Sequence, residues 1–136
     1  MTAISEKPVP QASPETEVFW AGCAVGELRI QFCTSCDQFY FPPRPFCPGC
    51  LSSNVTWRVV SGLGTLHTYV INHIAAPGFE SDAPYAIAIV ELAEGPRLMS
   101  NIVDIENTPE ALELDMPLRV EFQKRAGMSV PVFRPA

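Results

Sequence analysis

Two Cys-x-x-Cys pairs constrain the fold of this chain more than any other feature. Cys33 and Cys36 form the first pair, and Cys47 and Cys50 form the second. Each turn presents two sulfurs to one ion, and four thiolates suit the tetrahedral coordination of zinc, although a redox dithiol is the alternative for such pairs. Because four protein ligands leave no position for water or substrate, the pattern predicts a structural metal site. The predicted element is a rubredoxin-like zinc ribbon over residues 29–54.

Composition and charge limit the classes of protein to which this ribbon can belong. A chain of 136 residues can hold one ordinary core with a metal-stapled appendage, but not two full cores. The first residues lack the basic start and the apolar stretch of a secretory signal, so we expect a cytoplasmic location and reduced thiols. No apolar run approaches the ~20 residues that cross a bilayer, so we expect no membrane partner. A net charge of -6 argues against strong nucleic-acid binding, which requires a basic surface.

Local patterns predict a flexible tail and a short helix before the ribbon. Residues 1–12 are polar and rich in proline, which is typical of a flexible tail. Residues 13–28 are predicted to hold the N-terminal helix, running from 14 to about 25, because Ser13 is a good N-cap and Gly26 can end a helix.

The remainder of the chain, residues 55–136, shows the alternation typical of a small antiparallel barrel. A helix is predicted over 108–114, before the last strand. Five strands with one late helix indicate an OB-fold, so the chain is predicted to be mainly β: an N-terminal helix, a zinc ribbon and a five-stranded antiparallel OB-fold barrel. Period-two runs predict strands over residues 55–61, 64–74, 85–93, 97–104 and 118–125.

No arrangement of residues in the sequence is typical of a catalytic site. His67 and His73 are predicted to share one face of a single strand, but no nucleophile elbow, paired carboxylates or zincin motif accompanies them. A surface or interface role is therefore favoured for both histidines. The segment 62–64 (GLG) lacks the helix and the lysine of a phosphate loop, and Cys23 is predicted to be a buried, inert thiol. We predict no catalytic residues.

Several motifs, in this order and spacing, resemble the acyl-CoA-associated zinc-ribbon/OB-fold family, known as domain of unknown function thirty-five. The resemblance covers nearly the whole chain. It implies a non-catalytic accessory subunit of an acyl-CoA-processing complex. The motifs are Phe19-Trp20, Gly26-Glu-Leu28, Cys33-Thr-Ser-Cys36, Pro42-Pro-Arg-Pro45, Cys47-Pro-Gly-Cys50, Gly62-Leu-Gly-Thr65, Pro84-Tyr-Ala-Ile-Ala-Ile-Val-Glu-Leu92 and Gly95-Pro-Arg-Leu98.

The resemblance also implies partners and contact residues. The first choice of partner is a thiolase-like enzyme that degrades an aromatic or steroid compound, and the alternatives are a sterol-carrier-type aldolase and a hot-dog-fold enoyl-CoA hydratase. The CoA thioester is the ligand of the complex. Its phosphates are predicted to contact Arg44, Lys124 and Arg125. Partner contacts are predicted for aromatic side chains, although each of them alone is more typical of the core: Phe19, Trp20, Phe41, Phe46 and Phe79.

A nucleic-acid-binding module is the rival class, because zinc ribbons and OB-folds are both common there. The acidic balance argues against it. So does the predicted barrel, which offers chiefly Tyr69 as a base-stacking aromatic. A stand-alone enzyme ranks last.

Overall fold

The structure is a computed structural model that describes residues 6–136, and it shows one short helix followed by two antiparallel sheets. Residues 1–5, where the predicted flexible tail begins, lie outside the described residues, and residues 6–12 have no regular secondary structure. The elements are α1 (Glu17–Ala24), β1 (Arg29–Cys33), β2 (Gln38–Tyr40), β3 (Val55–Val59), β4 (Leu63–Asn72), β5 (Tyr85–Leu92), β6 (Arg97–Ser100), β7 (Pro117–Arg125) and β8 (Met128–Pro135).

Helix α1 starts three residues later than predicted. Ser13 accepts backbone hydrogen bonds from Thr16 and Glu17, which form a turn before the helix, and Thr16 rather than Ser13 is the N-cap. The predicted end is confirmed. Gly26 has a φ of 78°, and Glu27 donates its N–H to the carbonyl of Gly22 over 2.8 Å, as in a glycine-terminated helix.

The first sheet is the ribbon, with strand order β2-β1-β3. Strand β3 was predicted as the first strand of the barrel, and this prediction is wrong. Its residues 55–59 pair with β1 over five positions, Trp57 opposite Gln31 at the centre. Alternation along a strand reveals which face is buried but not which neighbour completes the hydrogen bonds.

The second sheet has five strands in the order β6-β5-β4-β7-β8 and curls into the predicted five-stranded barrel. Strand β4 pairs with both β5 and β7. A parallel bridge between Ile102 and Phe133 links the two ends of the sheet, and the Ser100 hydroxyl donates to the carbonyl of Pro131 nearby. One of the five strands of the barrel was therefore not predicted from the sequence.

That additional strand is β8, which forms a hairpin with β7 through a two-residue turn. Ala126 and Gly127 both have positive φ, 44° and 87°, as a type I′ turn requires. Pro131 and Pro135 disfavour a strand in the sequence, because proline cannot donate to a ladder. β8 lies last in the sheet order, where a missing N–H is tolerated.

The predicted helix over 108–114 is wrong. Thr108 accepts backbone hydrogen bonds from Ala111 and Leu112, and the segment makes only this one turn. Immediately afterwards Asp115 donates to the carbonyl of Leu66, and Met116 accepts from the N–H of Leu66. Because Asp115 has a φ of 65° and is hydrogen-bonded to β4, the chain cannot continue as a helix there, and too few residues remain before it for a stable helix.

A β-bulge interrupts β4 at His67. The register shifts between Leu66 and Thr68, so Leu66 is buried on one side of the bulge while Tyr69 and Ile71 pack against the same core beyond it. The strand ends at Asn72, before His73. The predicted uninterrupted alternation that placed both histidines on one face is therefore wrong.

One continuous core joins the helix, the ribbon and the barrel. The inward residues of β5, which the sequence assigned to the barrel interior, are at most 2% exposed, as is Leu28 from the segment before β1. Phe19 and Cys23 from α1 belong to the same cluster. No helix among residues 6–136 is long and apolar enough to cross a bilayer.

Candidate metal centre and neighbouring cavities

The two Cys-x-x-Cys turns lie at the end of the ribbon sheet. Cys33 is the last residue of β1, and Cys36 follows in the turn to β2. The residue after each second cysteine has positive φ, 54° at Asp37 and 63° at Leu51. This left-handed step turns the chain sharply after each pair. It is uncommon for leucine, whose β carbon crowds the backbone there.

The four sulfurs form one compact cluster. The Sγ atoms of Cys33, Cys36, Cys47 and Cys50 all lie within 4.8 Å of one another. Those of Cys33 and Cys50 are 3.5 Å apart, as are those of Cys36 and Cys47. Zinc–sulfur bonds of about 2.3 Å in a tetrahedron place sulfurs about 3.8 Å apart. Both the spacing and the all-thiolate donor set therefore fit a structural zinc ion.

Backbone donors favour the thiolate of Cys47 in the second pair. Backbone donation from Cys50 and Gly49 lowers the pKa of Cys47 to about 7 against the opposing effect of burial, and the N–H of Gly49 lies 3.3 Å from the Cys47 sulfur. The two turns are also joined directly, because the hydroxyls of Ser35 and Ser52 lie 3.0 Å apart. The backbone donors lower the free energy of the Cys47 thiolate, the charged form that binds metal, and the serine contact links the two turns that carry the ligands.

The fifth cysteine is separate from this cluster. Cys23 is 1% exposed in the shared core, and burial raises its pKa to about 11. The predicted buried thiol is confirmed.

The predicted partner-contact aromatics differ in exposure. Phe19 is 5% exposed and lies in the core, the alternative expected for each of these side chains. Its ring centre lies 4.9 Å from that of Trp20, edge-on, and 5.6 Å from that of Phe41, in a tilted arrangement. Trp20 and Phe41 are half-buried. Phe79 is half-buried as well, 5.2 Å from the ring of Tyr85, whereas Phe46 is 54% exposed beside the second cysteine pair.

Two cavities adjoin this aromatic group, and Arg125 and Asn101 line both of them. The first, about 330 Å³, lies beside the 75–84 loop, and its lining includes Lys7, Phe79, Asp82, Ile102 and Ile105. The second, about 260 Å³, lies between α1, the ribbon and the barrel, and its lining includes Pro10, Phe19, Trp20, Phe41 and Met99.

The three predicted phosphate contacts are distributed unevenly. Arg125 is half-buried between the cavities, whereas Arg44 and Lys124 are exposed and line neither. Sequence reasoning missed Asn101 and Lys7, which come from different parts of the chain. Only their spatial proximity to Arg125 marks them, since neither lies in a recognisable motif.

A cysteine-clustered zinc ribbon continuous with an OB-fold barrel defines the class of protein. The family described as "ChsH2, rubredoxin-like zinc ribbon domain" matches residues 20–56, and the family described as "ChsH2, C-terminal OB-fold domain" matches residues 57–123. The chain therefore belongs to the ChsH2-type zinc-ribbon/OB-fold family, to which DUF35 proteins also belong. The family resemblance found in the sequence is confirmed.

Proteins similar in sequence to this chain include enzyme subunits and scaffold proteins. A probable enoyl-CoA hydratase alpha subunit of Thermomonospora curvata is 33% identical over 132 residues, which are 96% of this chain and 40% of that protein. A DUF35 domain-containing scaffold protein of Methanocaldococcus jannaschii is 39% identical over 93 residues, 68% of this chain and 64% of that protein. The chain thus spans less than two thirds of either relative.

Solved structures show the same architecture. A chain of a structure described as "Ltp2-ChsH2(DUF35) aldolase" superposes with a TM-score of 0.81 at 32% identity, covering 93% of this chain and 98% of that one. A DUF35-family protein of unknown function from Sulfolobus solfataricus superposes with a TM-score of 0.64 at 14% identity, a likeness of fold alone.

Proposed function

We propose that this chain is a non-catalytic accessory subunit of an acyl-CoA-processing complex, and that its catalytic partner is an aldolase-type or hydratase-type enzyme. The observation that carries the proposal is the similarity, over nearly the full length of both chains, to a chain of the Ltp2-ChsH2(DUF35) aldolase. The hydratase alternative rests on the relative from Thermomonospora curvata, whose name is that of a hydratase alpha subunit. A thiolase-like partner, the first choice from the sequence, is retained as a further alternative within this proposal.

The environment of the two histidines supports a non-catalytic role. Among residues 6–136, neither His67 nor His73 makes a side-chain hydrogen bond to an orienting carboxylate or a nucleophile. His67 occupies a bulge, and His73 is exposed beyond the end of its strand. A general base requires a fixed orientation toward the proton that it removes, and among residues 6–136 no side-chain hydrogen bond supplies one to either histidine.

The metal centre supports docking by fixing an apolar surface beside it. Phe46 and Leu51 flank the second cysteine pair and are 54% and 78% exposed. Large apolar side chains on a rigid element are typical anchors of protein interfaces. We therefore assign Phe46 as a partner contact, with the zinc ion holding the loop that carries it. CoA phosphates would reach the exposed Arg44 and Lys124 within the assembled complex.

Reconstitution tests the proposal directly. The purified chain is mixed in turn with aldolase-type, hydratase-type and thiolase-type acyl-CoA enzymes from the same cell, and each mixture is analysed by size-exclusion chromatography and by acyl-CoA turnover. One enzyme is expected to co-elute with the chain and to turn over faster. Absence of co-elution with all three, or turnover by the chain alone, contradicts the proposal.

A pair of surface variants separates docking from folding. Phe46→Ser is expected to weaken the complex by about tenfold, the loss typical of an interface anchor. Val59→Ser, at a 57% exposed apolar position on β3, is the matched control and should leave the affinity unchanged. Equal affinities for the two variants would show that Phe46 is not part of the interface. The variants Arg44→Ala and Lys124→Ala test the CoA contacts, and the measurement is the KM of the complex for its acyl-CoA substrate.

A further inference from the structure

Arg125 carries a half-buried positive charge where the two cavities meet. Its guanidinium is half-buried and makes long hydrogen bonds of 3.3 and 3.4 Å to the neutral Oε1 of Gln123, and it lies 5.4 Å from the centre of the Phe79 ring. In the part of the chain that the structure describes, no carboxylate oxygen lies within 4.0 Å of it. Burial lowers the pKa of Arg125 and the nearby charge of Asp82 opposes this effect; a guanidinium remains protonated at neutral pH.

The other charges at the first cavity are already paired. Lys7 forms an ion pair of 2.7 Å with Asp82, and Asp104 forms one of 3.3 Å with Arg134. Among the described residues, Arg125 is therefore the one charged group of this lining without an ion pair of its own, although the charge of Asp82 also acts on it. A single charge of this kind suits a singly charged anion, whereas a ligand with several phosphates would need several cations.

Apolar surface adjoins the charge on both sides. The lining of the first cavity mixes polar side chains with Ile102, Ile105 and Val132, whereas the second cavity is mainly apolar and includes the rings of Trp20 and Phe41. A ligand whose anionic end meets Arg125 and that extends into the second cavity would therefore have an apolar body there. Pockets with a few polar groups on apolar walls are the usual form of small-molecule sites.

Residues 7–10 lie over both cavities. Lys7 lines the first and Pro10 the second. Gly78 permits this close approach, because a β carbon at that position would lie 2.5 Å from the Cα atom of Lys7. Lys7 also lies 5.1 Å from the centre of the Phe79 ring, so the segment forms part of the wall of the site, and its ion pair keeps Asp82 neutralised.

We propose that the two cavities form one binding site for a monocarboxylate with an apolar body, in which the carboxylate pairs with Arg125 and the body lies against Trp20 and Phe41. The site goes beyond the accessory role proposed above. It also replaces the contact between Arg125 and a CoA phosphate that the sequence predicted. The carboxylate would accept a bidentate hydrogen bond from the guanidinium, the geometry that arginine favours.

Isothermal titration of the full chain with three probes tests the site without any partner enzyme. The probes are 2-naphthoate, its uncharged analogue 2-naphthamide, and CoA. We expect saturable 1:1 binding of naphthoate, with naphthamide at least about tenfold weaker, since a charge-assisted hydrogen bond is lost. No saturable binding of naphthoate, or equal binding of the two analogues, overturns the proposal.

Two variants on one strand provide the matched comparison. Arg125→Gln is expected to weaken naphthoate binding by about tenfold and to leave naphthamide binding unchanged. Arg119→Gln removes the same charge from an exposed position of β7 outside both cavities, and should bind naphthoate like the parent chain. Unchanged naphthoate binding by Arg125→Gln overturns the proposal, as does CoA binding tighter than that of naphthoate and lost in the same variant.

Discussion

The side-chain oxygen of Gln31 accepts a hydrogen bond of 2.6 Å from the backbone N–H of Arg44, which ties β1 to the proline-rich loop that follows β2. Gln31 is 6% exposed. The carbonyl of Arg44 accepts a second hydrogen bond, 2.7 Å long, from the hydroxyl of Tyr40. The loop that leads to the second cysteine pair is thus held by side chains of the ribbon sheet as well as by the metal site.

Replacing Gln31 by leucine should destabilise the ribbon. The substitution leaves the partly buried N–H of Arg44 without its side-chain acceptor, which costs about 1 kcal/mol. Gln38→Leu, on the exposed face of β2, is the matched control and should stay within about 0.5 kcal/mol of the parent. Urea unfolding measures both. Similar midpoints for the two variants would show that the Gln31 contact contributes nothing.

Gly62 is expected to tolerate no side chain, because it packs directly against Val120. A β carbon there would overlap the Cγ1 atom of Val120, and the φ of Gly62 is 77°. Gly62→Ala should cost about 2–4 kcal/mol from overpacking and backbone strain together. Gly26 has nearly the same φ, 78°, with nothing within 4 Å of an added β carbon. Gly26→Ala therefore measures the strain alone, about 1–2 kcal/mol, in the same thermal unfolding assay. Equal losses for the two variants contradict the packing argument.

Leu51 offers a route to higher stability. Its φ of 63° and 78% exposure combine a strained backbone with little burial. Leu51→Asn should raise the free energy of unfolding by about 1 kcal/mol, because asparagine tolerates left-handed backbone better than leucine. Leu114→Asn is the control, since Leu114 is 61% exposed without positive φ. A rise in melting temperature for both variants, or for neither, would show that backbone conformation is not the cause.

The metal cluster and the barrel interior could be predicted because their patterns are local. The Cys-x-x-Cys spacing fixes the ligand set, and the alternation of β5 fixes its buried face, since side chains on a strand alternate strictly. The fold family followed from motifs in order along the chain, and both matches bear it out.

The errors arose where distant segments decide the structure. Strand β3 joins the ribbon because β1 completes its hydrogen bonds, and the 108–114 segment stays short because the residues after it pair with Leu66. The bulge at His67 leaves no mark in the alternation of the sequence. The cavities around Arg125 are assembled from the N-terminal segment, α1, the ribbon and the barrel, so no single stretch of sequence could reveal them.

Metal content tests the central claim most directly. This claim is that four thiolates bind one structural zinc ion, and that the ordered structure of the zinc ribbon depends on it. Elemental analysis of the purified chain should find one zinc per molecule. Cys47→Ala should lose the metal and disorder residues 30–52 in amide hydrogen exchange. Cys23→Ala, the matched control outside the cluster, should retain both the metal and an ordered ribbon. A parent chain without zinc, or a metal-free Cys47→Ala variant whose ribbon exchanges as slowly as the parent's, contradicts the account.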